Sequence, residues 1–543
     1  MIIRHLLSWL SRVHGALVGQ LHLAAIGSRV PQILVTKHQR IFRAGHRILA
    51  CIAAVSFSLM FLAQPIKSDS LSKPVAQTAD SQSLLCRVGT NLVPNSVTPP
   101  IAAFDLRALR VGWYTDYSAS DLPARPNGIE YTPMIHLTQT GPNDYSATPS
   151  GALLESVIAA NPGADWLIGN EPDRRFFQDD IEPHVYARAY HDLYELIKAA
   201  DPLARIFAGS IVQPTPLRLQ YLDLILTSYF EQFGEAMPVD GWSIHNFILN
   251  EASCNDYNDL AICWGADIPP GIDVSDGLRI TIDEHDRFDL FVEQIIRFRQ
   301  WMVRRGYSGK PVYLSEFGVL MPARFGFPPS RVNTFMNNSF DYLLGATDPT
   351  LGDPMDGYHL IQRFSWYSTS DSTYNGYLFE RQGEANSYDL SAMGLNFTTY
   401  TASLPETSDF YPLPTQADPP APLTSGGNVT FTLQTRVANS GNGLTPSTID
   451  VRFYVGDPAH GGIAIGDNQE VALGGCGDNA LVQVTWRDVP AGEYQIFVVV
   501  DEKNQITETN EENNVRTQAL VFANYQVFLP YIQHAMFTQQ LAD

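Results

Sequence analysis

Between residues 107 and 400 the chain alternates short β-type runs with helical stretches, and no other feature limits its fold as strongly. The runs are RVGWYT (110–115), IEYTPMIHL (129–137), ADWLIGN (164–170), ARIFAGSI (204–211), GWSIHNF (241–247), PVYLSEFG (311–318) and RFSWYS (363–368). The segment 284–306 has helical spacing: Phe288, Phe291, Val292, Ile295 and Ile296 share a face, and Arg297, Arg299, Arg304 and Arg305 are expected in solvent. Gly306 ends it. Alternation of this kind predicts an α/β fold with a parallel sheet, and its length predicts a (β/α)8 barrel of the TIM type. Seven strands are read in this way. The eighth is expected within 138–163 or near 86–93.

What flanks this region reads differently. Residues 65–106 are taken as a spacer, rich in Ser, Pro, Gln and Thr over 65–100, and 401–427 hold six prolines and read as a linker. Residues 428–522 carry short alternating runs (VTFTLQTRV, IDVRFYVG, LVQVTW, YQIFVVV) parted by turn clusters. That pattern predicts an all-β, immunoglobulin-like sandwich, with 523–543 as a tail.

Charge separates the N-terminus from the rest. The 543 residues include 35 Lys plus Arg and 57 Asp plus Glu, a formal net charge of −22. No acid precedes Asp69, whereas eight basic residues do, so the remainder is more acidic than the whole. Such a surface repels phosphate backbones, and nucleic-acid binding is not expected. Residues 48–63 form an uncharged apolar run of 16 behind Lys37, Arg40, Arg43 and Arg47. Residues 1–64 therefore read as a basic leader with a signal peptide or signal anchor, and the destination as the cell surface or beyond. Among the five cysteines, Cys254 and Cys263 lie close enough in sequence to expect a short-loop disulfide, while Cys86 and Cys476 are too far apart to pair from sequence. No CxxC or HExxH occurs, and no cofactor or metal is expected.

Two carboxylates stand where a barrel builds its chemistry. Glu171 follows the apolar run at 166–169 within Asn170-Glu171-Pro172-Asp173, and Glu316 lies near the end of 312–317. Barrel strands converge at their C-terminal ends, so residues far apart in sequence can meet there. Facing carboxylates are what glycoside hydrolysis needs: one protonates the leaving oxygen and one supports the sugar cation. Taken singly, Glu171 could be a helix-start acid and Glu316 an ion-pair partner. Together at strand ends they favour catalysis.

The strings Ile168-Gly169-Asn170-Glu171-Pro172 and Leu314-Ser315-Glu316-Phe317-Gly318 resemble the acid/base and nucleophile strand ends of clan A glycoside hydrolases, which are retaining (β/α)8 barrels. More narrowly, residues 130–134, 170–173 and 240–245 resemble a compact-barrel family of alkali-sensitive-linkage-type proteins and endo-β-1,3-glucanases. Ile135-His136 and the long insertion at 250–283 depart from that family. The resemblance implies that Glu316 attacks the anomeric carbon and Glu171 serves as acid, then base, with Glu316 ionised and Glu171 protonated at rest. It also implies that Asn170 meets a sugar 2-hydroxyl, that His245 touches the nucleophile or a sugar, and that Trp366, with Trp113 more weakly, offers a stacking face. Trp264 would line an outer subsite.

In the last domain, residues 437–441, 453–456, 500–504 and 508–514 resemble a CARDB-type cell-adhesion-related domain. The Asp, Asn and Glu cluster at 501–514 reads as turn chemistry ahead of calcium binding. The expected protein is an exported retaining glycosidase acting on a polysaccharide, with β-1,3-glucan first. Its membrane contact would be an N-terminal anchor, and its cell-surface contact the sandwich. The alternative is a non-catalytic surface adhesin that uses the barrel to bind glycans.

Overall fold

A computed structural model describes residues 83–93, 100–253, 264–383, 387–418, 428–443 and 448–522. The leader, the apolar run at 48–63, Cys254, Cys263 and the tail lie outside these residues. No helix among the described residues is long and apolar enough to cross a membrane.

The α/β part is built on one curled sheet of ten strands. In chain order these are β1 (Val88–Asn91), β2 (Trp113–Thr115), β3 (Glu130–Tyr131), β4 (Met134–Gln139), β5 (Tyr145–Thr148), β6 (Asp165–Ile168), β7 (Arg205–Ile211), β8 (Gly241–His245), β9 (Val312–Phe317) and β10 (Arg363–Trp366). The spatial order is β3-β2-β1-β10-β9-β8-β7-β6-β4-β5. Every pairing in it is parallel except β4 with β5. Thr132 and Pro133 alone separate β3, at one end of this order, from β4, near the other. Strands β6, β8, β9 and β10 are buried along their whole length. They are covered on both faces, so their sequences read as continuous apolar runs without alternation.

Helices Pro183–Ala200, Pro216–Phe233, Phe288–Arg305 and Pro329–Gly345 cover the sheet. Helix Phe288–Arg305 buries Phe291, Ile295, Phe298 and Met302 and ends at Gly306, whose φ of 83° is the left-handed cap that glycine adopts without strain. One expectation for this helix fails. Arg299 is buried: its guanidinium donates to the carbonyls of Leu360 and Lys310 and to Gln362 Oε1. Saturation by neutral acceptors lets the cation sit there without a counter-charge.

Two boundaries move. β1 lies inside the stretch read as a spacer and supplies the missing strand. Its four residues are too few to show a period. β13 (Phe410–Pro412) and β14 (Gln416–Asp418), which follow the hairpin β11 (Phe379–Gln382) and β12 (Ser387–Leu390), lie inside the expected linker. Both pair with β15 (Val429–Asn439). The prolines there mark edge strands, which tolerate a missing N–H.

The sandwich continues with β16 (Ile449–Val455), β17 (Ile463–Val471), β18 (Asn479–Val489), β19 (Gly492–Val500) and β20 (Val515–Phe522). One sheet holds β13, β14, β15 and β18, the other β17-β16-β19-β20. Phe431, Leu433, Val451, Phe453, Val484, Ile496 and Val498 fill the space between them.

The described parts belong to one compact unit spanning Ala79–Asp543. Cys86 and Cys476 form a disulfide across 390 residues and join the strand segment that opens the α/β sheet to the sandwich. A pairing so remote in sequence carries no local signal. Gly112 and Gly128 make the approach feasible, because a Cβ would come within 2.7 Å of Cys476 Sγ at the first and of the Gly474 Cα at the second. Ser83 Oγ donates to Asn442 Oδ1 beside it. Replacing both Cys86 and Cys476 with serine should cost about 2–4 kcal/mol and lower the midpoint of thermal unfolding, read by calorimetry with and without reductant. An unchanged midpoint would remove the bond's structural role.

Candidate active site

The C-terminal ends of β6, β8 and β9 bring three of the expected residues together. After Ile168 the chain turns sharply, with Gly169 at φ 84° and Glu171 at φ 43°, and the Glu171 N–H donates to the Ser210 carbonyl at the end of β7. A left-handed glutamate is a strained placement that its surroundings must hold. Glu171, His245 and Glu316 are 2%, 0% and 5% exposed. His245 stands between the two carboxylates: Nδ1 is 3.1 Å from Glu171 Oε1, and Nε2 is 3.2 Å from Glu316 Oε1. One oxygen of each carboxylate and one imidazole nitrogen all lie within 4.8 Å of one another.

These three are the only side-chain cluster among the described residues that meets a loose metal-ligand spacing. The imidazole turns a different nitrogen to each carboxylate, which suits a proton carrier better than a common ligand shell.

The other oxygen of Glu171 is held as well, with Arg174 Nη1 donating to Oε2 at 3.1 Å. Burial works to raise the Glu171 pKa, but Arg174 and then His245 outweigh it and bring it down to about 2. Glu316 has no such cation against it. Burial dominates there, opposed by His245 and reinforced by Glu171, and its carboxyl is pushed up to about 7. His245 is raised, since the attraction of both glutamates exceeds the effect of burial. These directions run opposite to the protonation that the resemblance implies: the surroundings favour the charged form of Glu171 and the protonated form of Glu316. The cause is Arg174, three residues beyond Glu171 and outside the motif that drew attention to it.

Asn170 adjoins the site, but its Nδ2 donates to Gln178 Oε1 at 3.0 Å, while Oδ1 is buried without a hydrogen-bond partner. The two tryptophans are corrections. Trp366 is fully buried, with Nε1 donating to the Gly376 carbonyl and its rings against Phe317 and Phe340. Trp113 is also fully buried, donating to the Arg87 carbonyl and packed on Tyr313. Neither has a face open to a sugar.

The aromatic residue next to Trp366, Tyr367, turns toward the site, where the charge of Glu316 acts on it. It packs edge-on against Phe247 in a cluster with Val212, Leu249 and Ala266, and Trp264 leans on the same cluster.

A second chain of contacts passes between the two glutamates, through residues that the sequence reading did not select as catalytic. Asp179 Oδ2 accepts from the N–H groups of Asn170 and Leu137, and its Oδ1 lies 2.8 Å from His136 Nδ1. His136 Nε2 is 3.0 Å from the Tyr117 carbonyl. Tyr117 has φ 58°, and its buried hydroxyl faces Glu316 and helps lower that carboxyl against burial. His136, the departure from the family pattern, is thus tied into the site. Removing the Tyr117 hydroxyl in Tyr117→Phe should raise the Glu316 pKa further and move the alkaline limb of the kcat/KM profile to higher pH. A limb that stays in place would separate Tyr117 from Glu316.

Residues 407–518 match the CARDB family, so the C-terminal domain is a CARDB domain. No curated protein matches the chain. Among solved structures, the CARDB domain of a Pyrococcus furiosus protein, determined in complex with di-metal ions, is 27% identical and covers 22% of this chain and 97% of its own, with a TM-score of 0.19. A glucosidase from Croceicoccus marinus is 13% identical and covers 74% and 93%, with a TM-score of 0.36. A family 51 α-L-arabinofuranosidase from Bifidobacterium longum is 11% identical and covers 75% and 98%, with a TM-score of 0.34. The neighbours that cover about three quarters of the chain are thus glycosidases of low sequence identity.

Proposed function

We propose that the chain is an exported glycoside hydrolase that cleaves a polysaccharide by double displacement at Glu316, with Glu171 as acid and base. The observation that carries this is the pair of buried carboxylates, with oxygens within 4.8 Å of each other and His245 between them. Carboxyl groups about 5–5.5 Å apart belong to retaining hydrolysis, and about 6.5–9.5 Å to inversion. Counting β3 and β4 as one bent strand leaves eight parallel positions, the number that a (β/α)8 barrel needs. Asn170 Oδ1 and the Ser210 hydroxyl, buried without partners beside Glu171, suit a ligand rich in hydroxyl groups. The CARDB domain and the disulfide accord with an oxidising location outside the cytoplasm.

The test is hydrolysis of laminarin, other glucans, galactans and arabinans, with NMR of the first-formed anomer. Laminarin comes first because the compact-barrel family that the chain resembles includes endo-β-1,3-glucanases. Retention of configuration is expected, and inversion would remove the nucleophile role of Glu316. The pair must hold one proton for Glu171 to act as acid, so activity should fall on its alkaline side as the site gives up that proton near pH 7.

One observation favours a second reading. Both oxygens of Glu171 already face cations or donors, an arrangement that suits a binding platform. A non-catalytic glycan-binding adhesin would bind the same polysaccharides without turnover and would be indifferent to Glu316→Gln.

A further inference from the structure

An acid catalyst must present a proton to the leaving oxygen, and Glu171 cannot do so while Arg174 occupies Oε2 and His245 faces Oε1. One of the two must give way. His245 is fully buried, with its ring fixed between two carboxylates, and cannot leave. Arg174 can. It lies at the edge of the site with its side chain 19% exposed, and its remaining attachments are slight: Nη2 donates at 3.4 Å to the Gly265 carbonyl, and the guanidinium lies over the Phe177 ring. Its Nε is buried with no hydrogen-bond partner.

A guanidinium drawn off a buried carboxylate leaves two uncompensated charges, a loss that a sugar hydroxyl cannot offset and an anion can. Arg174 is on the side of the acid catalyst, so it borders the leaving group and not the sugar that becomes attached to Glu316.

Resting on the two-carboxylate reading above, we propose that the natural substrate is an acidic glycan whose leaving-group sugar carries a carboxylate or sulfate, and that this anion takes Arg174 from Glu171 and so arms the acid. The site already holds a suitable proton. Once Arg174 is engaged elsewhere, Glu171 loses the cation that favours its charged form. Glu316 then gives its proton to His245 Nε2, the Nδ1 proton passes to Glu171 Oε1, and the carboxyl, no longer pinned by Arg174, turns that protonated oxygen toward the leaving group. The number of protons is unchanged, and His245 exchanges one neutral tautomer for the other. Glu316, now ionised, attacks the anomeric carbon as the glycosidic C–O bond breaks, and the Glu171 proton goes to the departing oxygen. The overall negative charge of the protein does not forbid this, since exposed charges beyond roughly 8–10 Å are screened at physiological salt.

The experiment has three arms. 4-Nitrophenyl β-glucoside, β-galactoside, β-glucuronide and α-L-arabinofuranoside have leaving groups that need no acid, and their turnover tests the glycosidase reading alone. Disaccharides of the accepted sugar linked to glucose, glucuronate or glucose 6-sulfate test the proposal and distinguish the two anions. For the better acidic disaccharide, kcat/KM should exceed that for the neutral one by about 100-fold, about 2.7 kcal/mol at 1.36 kcal/mol per decade. Arg174→Gln should bring the two within about threefold, and Arg174→Lys should restore part of the difference. Calorimetric binding of glucuronate and glucose disaccharides to Glu316→Gln decides the matter even without turnover: preference for glucuronate that vanishes in Glu316→Gln/Arg174→Gln supports the proposal. Equal kcat/KM and equal binding for acidic and neutral disaccharides in wild-type Arg174 protein would overturn it, while turnover of an aryl glycoside would leave the glycosidase reading intact.

Discussion

Glu316→Gln should reduce hydrolysis of any accepted polysaccharide by about 10^4-fold or more, in keeping with the loss of a covalent nucleophile. The amide is nearly isosteric and keeps an oxygen and a nitrogen within reach of His245 and Tyr117. Thermal unfolding should therefore shift little, or upward, because a buried carboxyl that resists ionisation becomes neutral at every pH. The sign follows from linkage. A folded-state pKa raised to about 7 from 4.5 makes this group's contribution most favourable below pH 4.5 and progressively lost as pH rises through 7. Glu316→Gln should thus help stability above pH 7 in particular. Undiminished hydrolysis in this variant would end the enzyme reading. A midpoint that falls by many degrees at pH 8 would show that Glu316 is structural.

The second large effect concerns Asp173, two residues beyond Glu171, and the arginine that holds it. Arg218→Met should destabilise the α/β domain by about 3–5 kcal/mol, the magnitude found when one member of a buried ionic cluster is removed. Arg218 is wholly buried. Its Nη1 donates to Asp173 Oδ2 at 2.5 Å, its Nε to Glu251 Oε1 at 2.8 Å and its Nη2 to the Asp267 carbonyl at 2.6 Å. Glu251 also accepts from Thr215 and from the Leu278 N–H, so this cluster fastens the insertion after β8 to the turn that carries Glu171. Without the cation, Asp173 and Glu251 are left as buried carboxylates, and the turn should loosen. Chemical denaturation measures the loss, and kcat with the best substrate should fall alongside it. A variant as stable as the parent would mean that these carboxylates are neutral or hydrated in the folded protein.

The candidate pair, Glu171 and Glu316, could be located in the sequence because each glutamate follows an apolar run too continuous for anything but a buried strand, and strand ends in such sheets share one face. The error over Trp366 has an equally simple origin. Side chains alternate along a strand, so a one-residue difference changes the face. Phe364 and Trp366 pack into the large core, whereas Ser365 donates to Asn91 and Tyr367 joins the separate cluster of Val212, Phe247, Leu249 and Ala266. The string RFSWYS shows aromatic residues at both parities, and the sequence pattern has no means of choosing between them.

Local order, apolar periodicity and turn chemistry act over a few residues, and they determined the α/β part, the sandwich, their sequence in the chain and the two strand-end glutamates. Contacts through space decided the rest. His245 reaches Glu171 across 74 residues, and Cys86 finds Cys476 across 390. Which carboxylate holds the proton depends on where Arg174 settles after the backbone has turned through a left-handed Glu171. Protonation follows the distance and burial of charges, and those exist only once the chain has folded.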